Sequence, residues 1–380
     1  MRMFDLLPLD ELRLITNLIS KDDAIVLALC CTRMRDAVFD RFPATHTKGP
    51  ARPRQARLRT SVVGCVSSVS RLRWSFESGC KLSVHVSAAA ARQGQLDVLQ
   101  WARMHGCAWD EKTCAGAAES GHFGVLQWAW ANGCKWDAST CAGAAAGGHL
   151  AVLQWARANG CEWNAHTCAS AAKAGRLEVL QWLRTEGCDW DAHTCALAAL
   201  GGHLAVLQWA RAEGCGWDAR TCAFAAREGH LGVLKWARAN GCEWGAFTCA
   251  SAALGGHLGV LKWAREHGCD WDASTCAHAA LGGQLELLQW ARAHGCEWDA
   301  ETCFRAAEGG YLNVLQWARS KGCTWNEQTC AFAAREGHLE VLQWARENGC
   351  EWDEHTYGFA EVGGHLQVLH WAMANGCPQN

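Results

Sequence analysis

The 380-residue sequence lacks any run of 18 apolar residues, and its 35 basic and 38 acidic residues leave a net charge of only −3. The first absence argues against a membrane-spanning helix. The second removes the global electrostatic case for nucleic acid or an anionic membrane as partner. Residues Met1 to Pro8 have no basic start leading into a long apolar core and a small-residue cleavage site, so no secretory leader is expected and the chain reads as soluble and intracellular. Also missing are a glycine-rich phosphate loop in a strand-helix context, a lone Ser with an orienting His and Asp, and a carboxylate pair outside solvated faces. An enzyme is therefore not expected, and no cofactor is called for.

What is present is biased. There are 39 Gly, 24 Cys and 23 Trp against 5 Pro and 2 Tyr, the signature of one short unit multiplied many times. Tryptophan sets the frame: Trp74, Trp101, Trp128, Trp155, Trp182, Trp209, Trp236, Trp263, Trp290, Trp317, Trp344 and Trp371 are spaced by 27 residues. A second ladder, Trp109, Trp136, Trp163, Trp190, Trp217, Trp244, Trp271, Trp298, Trp325 and Trp352, follows 8 residues behind.

Within the unit beginning at Trp163, Asn164 (Asp in most copies) is placed to cap a first helix, with the Thr167 hydroxyl in its first turn. Thr167 to Ala172 are small residues that let a neighbouring helix approach, and Gly175 supplies a stop. A second helix follows, with Leu177, Val179, Leu180 and Trp182 on its apolar face and Gln181 and Arg184 outward, ending at Gly187. Such a pair cannot bury its own apolar face, so stability must come from stacking on adjacent copies. The end copies differ as caps should: Leu82 and Val86-Ser87 replace Trp and Thr-Cys in the first, and Tyr357 replaces Cys in the last.

Thr-Cys-Ala-x-Ala-Ala-x-x-Gly-His-Leu-x-Val-Leu followed by Gly-Cys-x-Trp-Asp-Ala resembles the ankyrin signature from about Arg71 to Cys377. Ankyrin repeats commonly run to about 33 residues. Here the first helix is one residue shorter and the hairpin between repeats about five residues shorter, so projecting β-fingers are not expected. The resemblance implies an all-α, ankyrin-like helical-hairpin solenoid of about 11–12 repeats over residues 71–380. It implies a structural role for His122, His149, His203, His230, His257, His338 and His365, hydrogen bonding between loops.

Residues 1–42 carry Leu7-Pro8, Glu11-Leu12, Ile15, Leu18, Ile19, Ile25, Leu27 and Cys31-x-Arg33 in an amphipathic helical pattern. This resembles an F-box, which implies docking on a Skp-family adaptor and its cullin through Leu7, Pro8, Leu12, Ile15, Leu18, Ile25 and Leu27. The alternative is that Leu12, Ile15, Leu18 and Leu29 pack a cap on the stack. The F-box-like segment followed by short ankyrin-like repeats resembles proteins of giant viruses of amoebae. Residues 43–70 form a basic linker or a degenerate capping helix; from Arg41 to Arg73 the chain has no acid, and a solvated face is preferred there over a nucleic-acid patch because no aromatic platform accompanies the charges.

The periodic thiols, such as Cys107 with Cys114, have six residues between them, wider than the usual zinc-ligand pair, so they are expected to be buried apolar groups. On the first helix the slots at 167, 168, 171 and 172 hardly vary between copies, whereas those at 166, 170 and 173 vary freely. Positions i, i+4 and i+7 share one helical face. The variable set His193, Leu197, Leu200, Arg220, Phe224, Arg227, Phe247, Leu254, His278, Leu281, Arg305, Phe332 and Arg335 is therefore expected to line a concave groove for a protein partner.

Overall fold

The structure, a computed structural model, describes residues 62–77 and 81–378. The F-box-like calls at Leu7, Pro8, Leu12, Ile15, Leu18, Ile25 and Leu27 lie outside the described residues, as does the linker to residue 61. Inside the basic segment the helix Val62–Cys65 is described, and Val69–Glu77 follows it into the repeats. Every element among the described residues is a helix, and from Val84 to Ala374 they alternate as paired first and second helices. The described residues divide into two compact units, one running up to residue 171 with 178–188, the other of residues 172–177 with 189 onward.

The copy from Asp191 shows why each pair forms. Asp191 has extended backbone, and its Oδ1 accepts the His193 N–H at 3.0 Å, satisfying one free donor of the helix Ala192–Leu200. Asp137, Asp218, Asp272 and Asp299 cap in the same way. The chain then reverses through Gly202 (φ 75°), with the His203 N–H returning to Ala198 O at 3.0 Å. The second helix, Leu204–Ala212, ends at Gly214 (φ 81°), where the Cys215 N–H reaches Ala210 O at 2.9 Å. Both glycines occupy the left-handed region, which a Cβ disfavours.

Thr194, in the slot expected to add a hydroxyl to the first turn, is fully buried, and its hydroxyl has no partner among the described residues; Thr221, Thr275 and Thr302 repeat this. In the copy at Thr167 the hydroxyl accepts an N–H, from Asn164 at 3.4 Å. The threonine slot is a packing position, and its γ-methyl group fills space between layers.

The core is made of small groups. Thr194, Cys195, Ala196, Ala198 and Ala199 of the first helix, with Val206, Leu207 and Ala210 of the second, are buried. In each unit the closest backbone approaches between copies run from first helix to first helix. A Cβ added at Gly143 would meet Ala115 O of the preceding copy at 2.9 Å, a measure of how near these backbones lie.

Two devices tie successive loops where β-fingers are missing. The loop thiol donates to the carbonyl of the cap residue one copy back: Cys215 to Asp191 O at 3.3 Å, Cys242 to Asp218 O at 3.4 Å, Cys323 to Asp299 O at 3.2 Å. The second is a histidine seated on glycine. A Cβ on Gly202 would come within 2.6 Å of the His230 ring, and His230 Nε2 donates to Leu200 O at 3.2 Å. His338 does the same to Glu308 O at 3.0 Å, while Gln284 and Tyr311 take the seat over Gly256 and Gly283.

The last copy, read from the sequence as a cap, leaves large apolar side chains exposed. Val362 is 85% exposed, Leu366 60% and Met373 48%, on the helices Glu354–Gly363 and Leu366–Ala374, although interior copies carry Arg at the Met373 slot.

The glycine seat yields a paired expectation. Gly214→Ala, which meets no atom within 4 Å, should cost about 1–2 kcal/mol for its left-handed backbone alone. Gly202→Ala must also displace the His230 ring and should cost clearly more in urea denaturation; equal midpoints would contradict the histidine seat.

Candidate functional site

The variable stripe of first-helix side chains lies within the second unit, where its members are graded by depth. Leu197 is only 9% exposed, so its expected place in an open groove is corrected: the i+4 slot points into the joint between neighbouring first helices, and Ser251 in the same slot is 3% exposed. Phe224, His278, Arg305 and Phe332 in that slot are half-buried. Leu200, Leu254, Leu281 and His193 at its flanks are also half-buried. Arg220, Arg227 and Phe247 stand fully outward, Phe247 at 58% exposure.

The two ends of the stripe differ in chemistry. Toward the C-terminus it is internally satisfied: Arg305 pairs with Glu301 at 3.1 Å and Glu308 at 2.8 Å, and Arg335 reaches Glu308 at 2.6 Å. There Phe332 stacks on Phe304 at 5.0 Å, with the Arg335 guanidinium 4.7 Å above it. Charges already paired in this way offer little to a ligand without first being separated. In the copies from 219 to 281 the cations are freer: Arg220 pairs with its own cap Asp218 at 2.7 Å, holding that carboxyl below the usual carboxylate range, and Arg227 lies 3.7 Å from Glu228. His278 Nδ1 donates to Ser274 O at 2.7 Å within its helix. Exposed Phe247, half-buried Leu200, Leu254 and Leu281, and a rim of Arg220 and Arg227 make an apolar patch edged by positive charge. Such patches mark interaction sites.

The thiols pair differently from their order in sequence. Each first-helix cysteine meets the loop cysteine 20 residues on: Cys195 with Cys215, Cys222 with Cys242, Cys276 with Cys296. In the first copy the equivalent Ser87 Oγ lies 3.3 Å from Cys107 Sγ. The hydrogen bond to Cys215 and burial push the Cys195 thiol far up, away from thiolate formation near neutral pH. Among the described residues no group of three or more His, Cys, Asp or Glu is placed to hold a metal, and no helix is long and apolar enough to cross a membrane.

A second feature was missed from the sequence because helix tryptophans such as Trp209 were read as core. Trp209 is half-buried. It meets the loop Trp190 edge to face at 5.6 Å, while Arg211 lies 4.2 Å over the next loop ring, Trp217. The signal was available: Trp-Ala-Arg followed six residues later by Trp puts a cation within reach of a ring in nearly every copy.

No family profile and no curated protein matches the chain. Among solved structures it resembles the human ASB11 ankyrin repeat domain at 18% identity, over 49% of this chain and 99% of that one, with a TM-score of 0.35. It also resembles the pentatricopeptide repeat protein PPR10 in complex with an 18-nt psaJ RNA element, at 16% identity and a TM-score of 0.35, over 94% of this chain and 59% of that one. Both scores lie below 0.5, so the helical-repeat architecture stands on the chain's own geometry.

Depth along the stripe is testable by stability. Leu197→Asp buries an unpaired charge between helices and should cost upwards of about 3 kcal/mol. Phe247→Asp should stay within about 0.5 kcal/mol. Similar denaturation midpoints for the two variants would contradict the grading.

Proposed function

We propose that the chain is an intracellular protein-binding adaptor that takes its partner on the first-helix face of the second unit. The observation that carries this reading is Phe247, an aromatic ring 58% exposed on a helix whose packing slots are otherwise filled by Ala, Cys and Thr, with Arg220 and Arg227 exposed one copy away. Retaining a large apolar ring in water has a hydrophobic cost that a partner's surface removes. The combination of aromatic and arginine anchors is the composition of binding hot spots.

The N-terminal F-box-like segment suggests the wider role: a substrate-recruiting subunit of a cullin-RING ubiquitin ligase, in which Leu7, Pro8, Leu12, Ile15, Leu18, Ile25 and Leu27 engage a Skp-family adaptor while the repeats hold the protein to be modified. In this reading no residue of the chain performs ubiquitin transfer. A host-cell setting follows from the resemblance to giant-virus proteins. A scaffold or sequestering protein without ligase linkage would share the repeat face and lack the adaptor contact.

The two halves of the proposal separate experimentally. Leu12→Asp with Leu27→Asp should abolish binding of a purified Skp-family adaptor to the full chain while the helical circular dichroism is unchanged. If the unaltered chain binds no such adaptor, the scaffold reading holds instead. Phe247→Glu with Arg220→Glu should weaken a co-purifying target by at least tenfold, about 1.4 kcal/mol. Undiminished binding would place recognition elsewhere.

A further inference from the structure

A pair of thiols recurs inside the repeats and takes no part in the partner face. The first-helix Cys195 and the loop Cys215, both fully buried, meet through their sulfurs. The same contact returns at intervals of 27 residues from Cys114 with Cys134 to Cys330 with Cys350.

Filling a small buried slot does not require sulfur in both places. In the first copy Ser87 takes the first-helix place and keeps the contact, its Oγ 3.3 Å from Cys107 Sγ, and in the last copy Tyr357 stands there. Packing would accept serine in interior copies too, yet every copy between these ends keeps both sulfurs. A tetrahedral metal would lack half its ligands, since among the described residues no third His, Cys, Asp or Glu joins a pair.

The two members of a pair differ in setting. Cys195 lies on the helix Ala192–Leu200 among buried Ala196, Ala198 and Ala199. Cys215 lies in the short loop after the helix Leu204–Ala212, between exposed Gly214 and Gly216, so a local opening of the loop brings this sulfur to water first. Its thiol donates to Asp191 O at 3.3 Å. Its carbonyl accepts an N–H from the Arg211 guanidinium, a bond of 2.6 Å where Arg238 makes it to Cys242 O. The hydrogen bond from Cys195, assisted by the Arg211 charge, draws the Cys215 thiol below its ordinary range in spite of burial, whereas Cys195 is pushed up. Thiols lowered beside a cation are the nucleophilic ones. One sulfur is thus set to attack, and a second, already in contact, to resolve the product.

We propose that each thiol pair is a modification site at which a hydroperoxide converts the two cysteines into a disulfide that closes the repeat on itself. The Cys215 thiolate attacks one peroxide oxygen; a sulfur–oxygen bond forms, the oxygen–oxygen bond breaks, and hydroxide leaves to take up a proton as water. The Cys195 sulfur, giving up its proton, then attacks the sulfenic sulfur; the disulfide forms, the sulfur–oxygen bond breaks, and a second water leaves. The two thiols lose two electrons and two protons together, and one hydrogen peroxide becomes two waters. The product exchanges one tie for another. The bond from Cys215 to the cap carbonyl of Asp191 is lost, and a covalent link from the first helix to the loop beyond the second helix is gained. Cross-linking residues 20 apart restricts the unfolded chain, so oxidation stabilises each hairpin.

The test treats the full chain with hydrogen peroxide under native conditions, then alkylates the remaining thiols and maps the linked peptides by mass spectrometry. Links joining Cys195 to Cys215 and Cys222 to Cys242 are expected, with unchanged helical circular dichroism and a urea midpoint that rises and returns with dithiothreitol. Cys195→Ser repeats the Ser87 arrangement; it should fold normally and leave Cys215 as a sulfenic acid that a cyclic 1,3-diketone captures. Cys215→Ser should leave Cys195 at least about tenfold less labelled at the same peroxide dose. Thiols that stay free, links between sequence neighbours such as Cys188 with Cys195, links that form only in urea, or equal labelling of the two variants would overturn the inference.

Discussion

The structure depends on an inequality of size between the two helices of each repeat. The first helix meets its neighbours through Ala, Cys, Thr and Gly, so backbones close to near contact, as at Gly143 against Ala115 O. The second carries Trp at the corresponding level, which cannot be swallowed by a joint this narrow and comes to rest half-buried against the loop Trp that opens its own copy. Dense packing leaves no other solution, since a joint cannot close on one side and accept indoles on the other without opening there. The edge-to-face tryptophan pairs and the outward first-helix stripe both follow.

A second constraint is the shortness of the loop. Without β-fingers, neighbouring loops need another source of cohesion, and two small ones recur: a thiol donating to a cap carbonyl, as Cys242 does to Asp218 O, and an imidazole seated on a left-handed glycine, as His230 does on Gly202. Neither is strong alone. Repeated through a stack in which each copy touches only its neighbours, such terms add nearly linearly. The high cysteine count is thereby accounted for by packing and hydrogen bonding of buried thiols, with the first-helix members pushed up by their loop partners and by burial.

Much of this was legible in the sequence. The 27-residue period, the Asp caps, the glycine stops and the division of first-helix slots into fixed and variable follow from periodicity and cap chemistry, which are local rules. What was not legible depends on distances between copies. Leu197 and Phe247 belong to the same variable stripe, yet one closes a joint and the other stands in water; i+4 and i slots differ only once helix spacing is known. Trp209 was placed in the core because large aromatics usually are, but the closeness of the first helices excludes it. The threonine slot was read as adding a hydroxyl to the first turn, and Thr194 there is fully buried. The candidate site was therefore found as a face, while its depth profile was not.

The central claim is that partners are held by the first-helix face of the second unit. Hydrogen exchange on the full chain, alone and with its bound target, tests it directly. Slowed exchange along Ala219–Arg227, Ala246–Leu254 and Ala273–Leu281, with Leu231–Ala239 and Leu258–Glu266 unchanged, is the predicted result. Protection confined to the second helices and their loops would contradict it.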